Sequence, residues 1–378
     1  MQKTTIMITT ARGLEKFLAE EVRALDLPVT WAGISGVKTE GSLRDAMKLN
    51  LHLRTGHRVL FQLLQSACRN PDELYQSAGV IPWEDIIPSD GYVCVVANVV
   101  NDTVRDTRFA GMRCKDAIVD RIKRYRGRRP DSGPEQKGAV VNLFWRDDRC
   151  EIYLDTSGEP LTKRGYRKNP LGAPMQETLA AGVIIFSGWD RRTAFINPMC
   201  GSGTLAIEAA LIAMNRAPGL IRQSFGFKHT LLYDPQEWAR LREEAKDAIG
   251  KCEAKIIATD ILPEAVAASV NNAKTAGVER LIEFNVCDFA ETAIPEGKGI
   301  VMVNPEYGVR MGKEKELALF YRRIGDFFKK KCQGYTGYVF TGAPALAGQI
   351  GLKSKRRSVF FSGSLECRLY EYDLYGKR

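Results

Sequence analysis

The sequence predicts an α/β protein: a Rossmann-like domain with a mostly parallel sheet in the second half of the chain, preceded by an α+β region. From Gly165 onward, apolar runs of strand length alternate with helical patterns, which is typical of a doubly wound sheet. Before Gly165, short strands and helices mix without that alternation. The length of 378 residues also exceeds what one hydrophobic core usually organises, so two or three domains are expected.

Composition narrows the class of protein. The net charge of +10 favours a polyanionic partner such as a nucleic acid. The nine cysteines are scattered and there are three histidines, which excludes the common zinc-site spacings and a dense disulfide framework, so no metal is expected. The first residues do not resemble a signal peptide, and no apolar run reaches the roughly 18 residues of a membrane span. We therefore expect a cytoplasmic protein with no membrane partner.

Three units are expected along the chain. Residues 1–65 form a small α+β unit. Residues 66–160 contain a helix at Arg108–Tyr125 and a hairpin whose turn is Asp147-Asp148. Residues 165–378 carry the alternating strands and helices.

A glycine-containing loop follows the first strand of the third unit. It runs Asn197-Pro198-Met199-Cys200-Gly201-Ser202-Gly203-Thr204, with a helix starting at its end. The two glycines let the backbone turn tightly and approach a ligand, and the helix N-terminus supplies free N–H groups. The loop has neither the Gly-Lys-Ser/Thr of a P-loop nor the third glycine of the dinucleotide fingerprint. It indicates another nucleotide-like cofactor, although many α/β turns use glycine for shape alone.

Carboxylates end the next two strands. The second strand is followed by Asp260 and Ile261, and the third by Asp288 and Phe289. The first carboxylate could accept both hydroxyls of a ribose, and the second pair could receive an adenine amino group and pack its face. Each aspartate could instead cap a helix or start a turn, but their order after the loop favours cofactor binding. The long stretch before Asp260 indicates an insertion at about residues 216–250.

The fourth strand ends in Asn304-Pro305-Glu306-Tyr307. A purine amino nitrogen is a poor nucleophile because its lone pair is delocalised into the ring. The side-chain oxygen of Asn304 and the carbonyl oxygen of Pro305 could accept its two hydrogens, while Tyr307 stacks on the extracted base. Catalysis would then consist mainly of alignment. An Asn-Pro turn at a strand end is also common in other folds, so the motif alone is not decisive.

Together, these residues resemble the class I methyltransferases that modify exocyclic amino groups. The closer resemblance is to the RNA methylase family with an N-terminal THUMP domain, which includes bacterial enzymes that make N2-methylguanosine in 23S ribosomal RNA and their tRNA relatives. It covers nearly the whole chain. Four motifs carry it in order: 155–167 at the junction of the THUMP and catalytic parts, 173–181 in the first catalytic helix, 197–204 and 304–307.

The resemblance implies a fold and a cofactor. The implied units are a ferredoxin-like unit at 1–65, a THUMP RNA-binding domain at 66–160, and a methyltransferase domain at 165–378 with a seven-stranded sheet. The implied cofactor is S-adenosylmethionine. The residues expected to bind it are Asn197, Cys200, Gly201, Ser202, Gly203, Thr204, Asp260, Ile261, Asp288 and Phe289.

The resemblance also implies that Asn304, Pro305 and Tyr307 hold the target amine. The sequence departs from the family pattern at two positions. The family often has aspartate where Asn197 stands, which puts a contact with the methionine ammonium in doubt. It usually has proline where Glu306 stands, and this carboxylate either touches the guanine Watson–Crick edge or, as we slightly favour, faces solvent.

Three basic runs are candidates for RNA contacts, although helix and loop surfaces often carry such runs. The first lies near the end of the predicted helix and consists of Arg121, Lys123, Arg124, Arg126, Arg128 and Arg129. The second includes Lys353, Lys355, Arg356 and Arg357, expected near the catalytic face. The third, at the junction, consists of Lys163, Arg164, Arg167 and Lys168.

We therefore expect methyl transfer from S-adenosylmethionine to the exocyclic N2 of a guanosine in 23S rRNA. The nearest alternative is the same chemistry on tRNA, whereas a DNA adenine methyltransferase is disfavoured by the THUMP-like unit. A non-catalytic RNA-binding protein is the alternative from another class, and the intact loop and Asn304 argue against it. The missing third glycine disfavours a nicotinamide-dependent oxidoreductase.

Overall fold

In a computed structural model of the chain, the structure describes residues 3–34, 36–104, 106–168, 174–305 and 314–375. The chain divides into two compact units, each built around its own sheet. Unit 1 comprises residues 1–10, 18–161 and 222–245. Unit 2 comprises residues 11–17, 162–221 and 246–378.

An eight-stranded sheet forms the frame of unit 1. Its strands are β1 (Thr4–Thr10), β2 (Val29–Gly33), β3 (Gly36–Gly41), β4 (Gly56–Ala67), β5 (Tyr92–Val100), β6 (Asp131–Ser132), β7 (Ala139–Arg146) and β8 (Arg149–Asp155). Their order is β2-β3-β1-β4-β8-β7-β5-β6. The long strand β4 pairs with β1 on one side and β8 on the other, both antiparallel. The segments predicted as ferredoxin-like and THUMP units therefore share one continuous sheet.

The helices of this part of the chain are α1 (Glu15–Ala24), α2 (Leu43–His52), α3 (Pro71–Gly79) and α4 (Thr107–Arg126). Ser42 caps α2 in a capping box with Asp45. The helix α4 starts after Asp106 and ends at Gly127, whose φ of 71° suits glycine at a helix end. Its apolar face packs into a core that contains Trp83 and Trp145.

Unit 2 has the mostly parallel seven-stranded sheet that the resemblance implied, and the predicted fold is confirmed. Its strands are β9 (Ala194–Asn197), β10 (Ile256–Asp260), β11 (Ile282–Val286), β12 (Gly299–Val303), β13 (Thr336–Thr341), β14 (Arg356–Ser362) and β15 (Leu365–Asp373). Their order is β11-β10-β9-β12-β13-β15-β14. The strands β9 to β13 are parallel, and β15 runs antiparallel to both β13 and β14.

The helices that follow Thr162 are α5 (Glu177–Phe186), α6 (Thr204–Ala213), α7 (Pro235–Asp247), α8 (Pro263–Ala276), α9 (Glu314–Lys331) and α10 (Pro344–Ala347). Nearly every residue of α6 is buried, which explains why its sequence is apolar on all sides. All four residues of β9 are buried as well. The glycine loop therefore lies between two elements that are fixed in the core.

The central part of the predicted insertion contributes to unit 1. Residues 222–245 belong to that unit, including most of α7. Phe225, Phe227 and Trp238 form an aromatic cluster with ring centroids 5.0 to 5.2 Å apart. Arg222 fastens the start of the segment, because its guanidinium donates to the carbonyl oxygens of Glu159 at 2.8 Å and Pro160 at 2.9 Å.

Candidate active site

The carboxyl ends of three neighbouring strands carry the polar residues predicted for the site. The strand β9 lies between β10 and β12 and is parallel to both. Asn197 ends β9, Asp260 ends β10, and Asn304 directly follows β12. Because parallel strands end at the same edge of a sheet, these three side chains share one edge, where open α/β sheets bind ligands.

The glycine loop is built into this edge by its own hydrogen bonds. The backbone N–H of Cys200 donates to the carbonyl oxygen of Thr259 at 2.9 Å, and that of Gly203 donates to Cys200 at 2.8 Å. Gly203 has a φ of 86°, and a Cβ there would lie 2.1 Å from Oγ of Ser269. Only glycine fits this position, because both the backbone angle and the space exclude a side chain.

The carboxylate of Asp260 faces the loop. Its Oδ2 accepts the N–H of Gly201 at 2.9 Å, and its Oδ1 accepts the N–H of Leu262 at 3.1 Å. Each oxygen keeps further acceptor capacity, since a carboxylate accepts about four hydrogen bonds. The arrangement thus holds Asp260 in place and leaves it able to accept hydrogen bonds from hydroxyl groups.

Two amide oxygens at adjacent strand ends are buried without a hydrogen-bond partner in the described part of the chain. One is Oδ1 of Asn197, a residue that is 0% exposed. Its Nδ2 donates to the carbonyl oxygen of Met302 at 3.0 Å, which fixes the orientation of the amide. The other is Oδ1 of Asn304. Buried acceptors are nearly always satisfied in native proteins, so each oxygen calls for a donor that the described residues do not supply.

The structure describes only part of the predicted reaction motif. Pro305 is buried beside Asn304. Glu306 and Tyr307 lie outside the described residues, so their predicted roles stay predictions.

Cys200 is a neutral thiol in this environment. Burial first, and then the charge of Asp260, raise the pKa of Cys200 to about 12. A thiol protonated at neutral pH is not an activated nucleophile.

Asp288 and Phe289, predicted to receive an adenine, are engaged by the helix α9. Arg323 donates from Nη2 to both carboxylate oxygens of Asp288, at 2.9 and 2.8 Å. Burial acts to raise the pKa of Asp288, but the hydrogen bonds from Arg323 and the backbone of Ala290 outweigh it and lower that pKa. Sequence reasoning missed Arg323, because no motif surrounds it.

The prediction for Phe289 needs correction. The ring is 5% exposed and packs edge-on against Phe320 and Phe327, with the guanidinium of Arg323 5.0 Å from its centroid. Phe289 is therefore a core residue under α9 and has no free face for a base. The sequence could not reveal this, since the covering aromatic residues lie one helix further along the chain.

Exposed apolar side chains border Asp260 instead. Ile261 is 63% exposed and Leu262 is 50% exposed. Val286, which pairs with Asp260 in the sheet register, is 51% exposed. Ile261 was predicted as a cofactor contact, whereas the other two were missed. Large apolar groups this open at a ligand-binding edge suit a flat aromatic ligand.

Two residues of the basic run at the junction, Arg164 and Arg167, need correction as candidate RNA contacts, whereas Lys163 and Lys168 are exposed. The side chain of Arg164 is 1% exposed and pairs with Glu208, which is 0% exposed. Tyr166 donates from its hydroxyl to the same carboxylate at 3.2 Å. Arg167, 12% exposed, donates from Nη2 to Oγ1 of Thr204 at 3.1 Å. These two arginines therefore help to hold the glycine loop and the helix α6 in place.

Similarity to known proteins identifies the family of this chain. A model described as "RMKL-like, methyltransferase domain" matches residues 164–371, more than half of the chain. The chain belongs to this family. Two further models match the preceding region, the "RlmL ferredoxin-like domain" at residues 5–60 and the "THUMP domain" at residues 68–155.

Relatives and solved structures agree with this assignment. A ribosomal RNA large subunit methyltransferase K/L of Syntrophotalea carbinolica is 35% identical, and the match covers 98% of this chain and 53% of the relative. A predicted N6-adenine-specific DNA methylase of Listeria monocytogenes has a TM-score of 0.89 at 31% identity, over 100% of this chain and 97% of that one. The protein SMU.472, complexed with SAH, has a TM-score of 0.87 at 28% identity, over 100% and 99%.

The chain spans about half the length of the curated relatives it matches. In the described ranges, no group of three or more His, Cys, Asp and Glu side chains could hold a metal ion. None of the described helices is long and apolar enough to cross a membrane.

The first basic run lies in the THUMP-matched segment and splits into two groups. Lys123, Arg124 and Arg128 are exposed. Arg126, 50% exposed, pairs with Asp85 at 3.1 Å, and Arg129 lies 3.9 Å from Asp116. Arg126 and Arg129 are exposed as well but have these acidic partners, so Lys123, Arg124 and Arg128, for which the described residues show no ion pair, are the phosphate candidates.

Arg121, from the same run, needs correction. Its guanidinium forms two hydrogen bonds with the carboxylate of Glu84, at 2.7 and 2.8 Å, and a third with the carbonyl oxygen of Gly79 at 2.8 Å. The two side chains are 19% and 11% exposed. Arg121 thus joins α4 to the chain before β5, and three of its five N–H donors are used in doing so.

Lys355 and Arg356 also need correction, because they lie away from the predicted catalytic edge. Arg356 pairs with Glu371 at 2.7 Å, and Lys355 pairs with Asp373 at 3.2 Å. Asp373 is opposite Thr336, the first residue of β13, so this cluster lies near the amino ends of the parallel strands. The expected site lies at their carboxyl ends.

Proposed function

We propose that this chain is an S-adenosylmethionine-dependent RNA methyltransferase that modifies the exocyclic N2 of a guanosine, with 23S rRNA as the favoured substrate. The observation that carries the proposal is a pair of amide oxygens, on Asn197 and Asn304, that have no partner among the described residues and lie beside the glycine loop that Asp260 anchors. Family membership and the names of the relatives support both the cofactor and the RNA.

The residues at the carboxyl edge fit an adenosyl cofactor. Asp260 would accept the ribose hydroxyls with its remaining lone pairs, and Ile261, Leu262 and Val286 would pack against the adenine. Asp288, whose position Arg323 fixes, follows the neighbouring strand β11 and would accept the adenine amino group. When bound, the cofactor supplies an electrophilic methyl group on a sulfonium.

The target amine would be held by the loop after β12. Oδ1 of Asn304 accepts one N–H of the amine, and the carbonyl oxygen of Pro305 accepts the other. Both bonds oppose delocalisation of the nitrogen lone pair into the ring and aim it at the methyl group. No strong general base is needed, since the nitrogen becomes acidic once it is alkylated. The rate then depends on alignment and on preorganised acceptors.

The RNA would be held in part by unit 1. Lys123, Arg124 and Arg128 are exposed cations at the end of α4, where phosphate contacts would be salt-dependent and independent of sequence. Tyr125, 59% exposed among them, offers an aromatic face to an unpaired base.

A methylation assay with defined substrates tests the proposal. The chain is incubated with labelled S-adenosylmethionine and with protein-free 23S rRNA, tRNA or duplex DNA, and the modified nucleoside is identified by mass spectrometry. N2-methylguanosine in 23S rRNA is the expected product. N2-methylguanosine in tRNA alone would replace the substrate, and N6-methyladenine in DNA would replace the reaction. Absence of cofactor binding by calorimetry at millimolar concentration would favour a non-catalytic RNA-binding protein.

A further inference from the structure

Arg167 lies directly beside the start of α6, although no cofactor motif contains it. Its Nη2 donates to Oγ1 of Thr204 at 3.1 Å and to the carbonyl oxygen of Met175 at 2.9 Å. Its Nε donates to Oε1 of Glu177 at 3.3 Å. The guanidinium is thereby fixed at the helix N-terminus that follows the glycine loop.

These hydrogen bonds do not involve Nη1 of the guanidinium. Nη1 of Arg167 is buried and has no hydrogen-bond partner among the residues that the structure describes. An unsatisfied N–H on a charged, buried group is costly, so such groups are normally paired. The contact to Glu177 does not satisfy it, because that carboxylate is reached through Nε alone.

The backbone that carries Arg167 is also bonded to the loop. The N–H of the next residue, Lys168, donates to Oδ1 of Asn272 at 2.9 Å. Nδ2 of Asn272 in turn donates to the carbonyl oxygen of Ser202 at 3.0 Å. One buried side chain thus fixes the segment of Arg167 relative to the glycine loop.

The amino-acid end of the proposed cofactor has two charged groups, an ammonium and a carboxylate. The loop region offers an unpartnered acceptor, Oδ1 of Asn197, and an unpartnered charged donor, Nη1 of Arg167. Arginine suits a carboxylate because its N–H groups form a rigid, always charged fork. A donor with this charge would not stabilise the ammonium.

We propose that Arg167 binds the carboxylate of the cofactor's methionine portion and that Asn197 accepts its ammonium. This inference rests on the proposed function, since it assigns a further residue to the same cofactor site. It gives Arg167 a role other than RNA contact. It also gives Asn197 a role at a position where the family often has aspartate.

Calorimetry with paired ligands tests the role of Arg167. Wild-type chain is titrated with S-adenosylhomocysteine and with its decarboxylated analogue, which keeps the amine and lacks the carboxylate. In the wild type, we expect loss of the carboxylate to weaken binding roughly 10- to 100-fold, the range for a hydrogen bond to a charged group. In Arg167→Met, both ligands should bind with the same, weaker affinity.

Two further variants make the result independent of folding. Arg167→Met leaves Glu177 buried without its partner, so the double variant Arg167→Met/Glu177→Gln is measured in parallel and should also lose the discrimination. Lys168→Met removes an exposed cation one residue away and should keep it.

Two outcomes would overturn the inference, and a third would overturn the proposed function on which it rests. The inference would be overturned if loss of the carboxylate weakened binding by the same factor in wild type, in Arg167→Met and in the double variant. Unchanged discrimination with weakened RNA binding would assign Arg167 to the RNA. If wild-type chain bound neither ligand, the proposed function itself would fail, which distinguishes that failure from the failure of this assignment.

Discussion

Two basic segments look alike in the sequence and differ in the structure. The end of α4 and the junction at residues 163–168 are both dense in arginine and lysine. At the end of α4, Lys123, Arg124 and Arg128 are exposed. At the junction, Arg164 and Arg167 are buried against carboxylates from α5 and α6. A basic run in a sequence therefore shows only that cations are present. Whether those side chains are exposed to solvent depends on the acidic residues that the fold places beside them.

This difference predicts separate functions for the two segments. Exposed cations can exchange counterions for RNA phosphates, so they contribute affinity that falls with salt. Buried arginines lose their hydration and must be paired, so they contribute geometry. The exposed run at the end of α4 should therefore affect RNA binding, and the buried arginines should affect stability and the cofactor.

The largest effect is expected from the buried pair of Arg164 and Glu208. Arg164→Met leaves a fully buried carboxylate unpaired, and we expect a loss of about 3–5 kcal/mol in the free energy of unfolding. Urea unfolding at pH 7 measures it. Lys123→Met, an exposed cation, serves as the control and should change stability by less than about 0.5 kcal/mol. A loss below about 1 kcal/mol in Arg164→Met would mean that the pair is not structural.

The next effect concerns RNA affinity. The triple variant Lys123→Gln/Arg124→Gln/Arg128→Gln should weaken RNA binding roughly 10- to 100-fold at low salt and lower the slope of log K against log salt by about 2 to 3. Fluorescence anisotropy over a salt series measures both quantities.

A matched control removes the same charge elsewhere. Lys329, Lys330 and Lys331 form the exposed last turn of α9, so Lys329→Gln/Lys330→Gln/Lys331→Gln changes the net charge equally. It should reduce binding far less. Equal losses in the two variants would show that net charge, and not the end of α4, controls RNA binding.

A smaller effect is expected from Arg121, which lies in the same run but is paired. Arg121→Met should cost about 1–3 kcal/mol of stability at pH 7 and leave the salt slope of RNA binding unchanged. The hydrogen bonds from Arg121 lower the pKa of Glu84 below its ordinary 4.5, against the effect of burial.

The sign of the pH dependence follows from that lowered pKa. A carboxyl group with a lowered folded-state pKa stabilises the protein above its unfolded pKa, and this contribution disappears as pH falls through the folded value. The stability difference between wild type and Arg121→Met should therefore shrink as pH falls below 4.5. A difference that is constant from pH 7 to pH 3, or a reduced salt slope in the variant, would contradict this role.

Periodicity and strand ends were enough to predict the parallel sheet of unit 2 and the edge at which its polar strand ends meet, whereas the seven-stranded topology and the THUMP unit were implied by the family resemblance. Alternating strands and helices specify the parallel sheet, and polar residues at strand ends must meet at its carboxyl edge. This reasoning brought Asn197, Asp260 and Asn304 together because it depends on topology alone.

The parts that sequence reasoning missed depend on contacts between distant segments. The burial of Phe289 follows from aromatic residues on α9, and the pairing of Arg121 from Glu84, far away in the sequence. Residues 222–245 join unit 1 although unit 2 surrounds them in the sequence. No local pattern carries such information, since periodicity shows that a face is buried and not what buries it.

The most direct test of the account is single-turnover methyl transfer to 23S rRNA by Asn304→Ala, at a cofactor concentration that calorimetry shows to be saturating. Because Asn304 is proposed to hold the amine and not the cofactor, we predict that transfer falls roughly 100-fold or more while the Kd for S-adenosylhomocysteine stays nearly unchanged. Transfer at the wild-type rate would contradict the account, and so would a loss of rate that saturating cofactor restores.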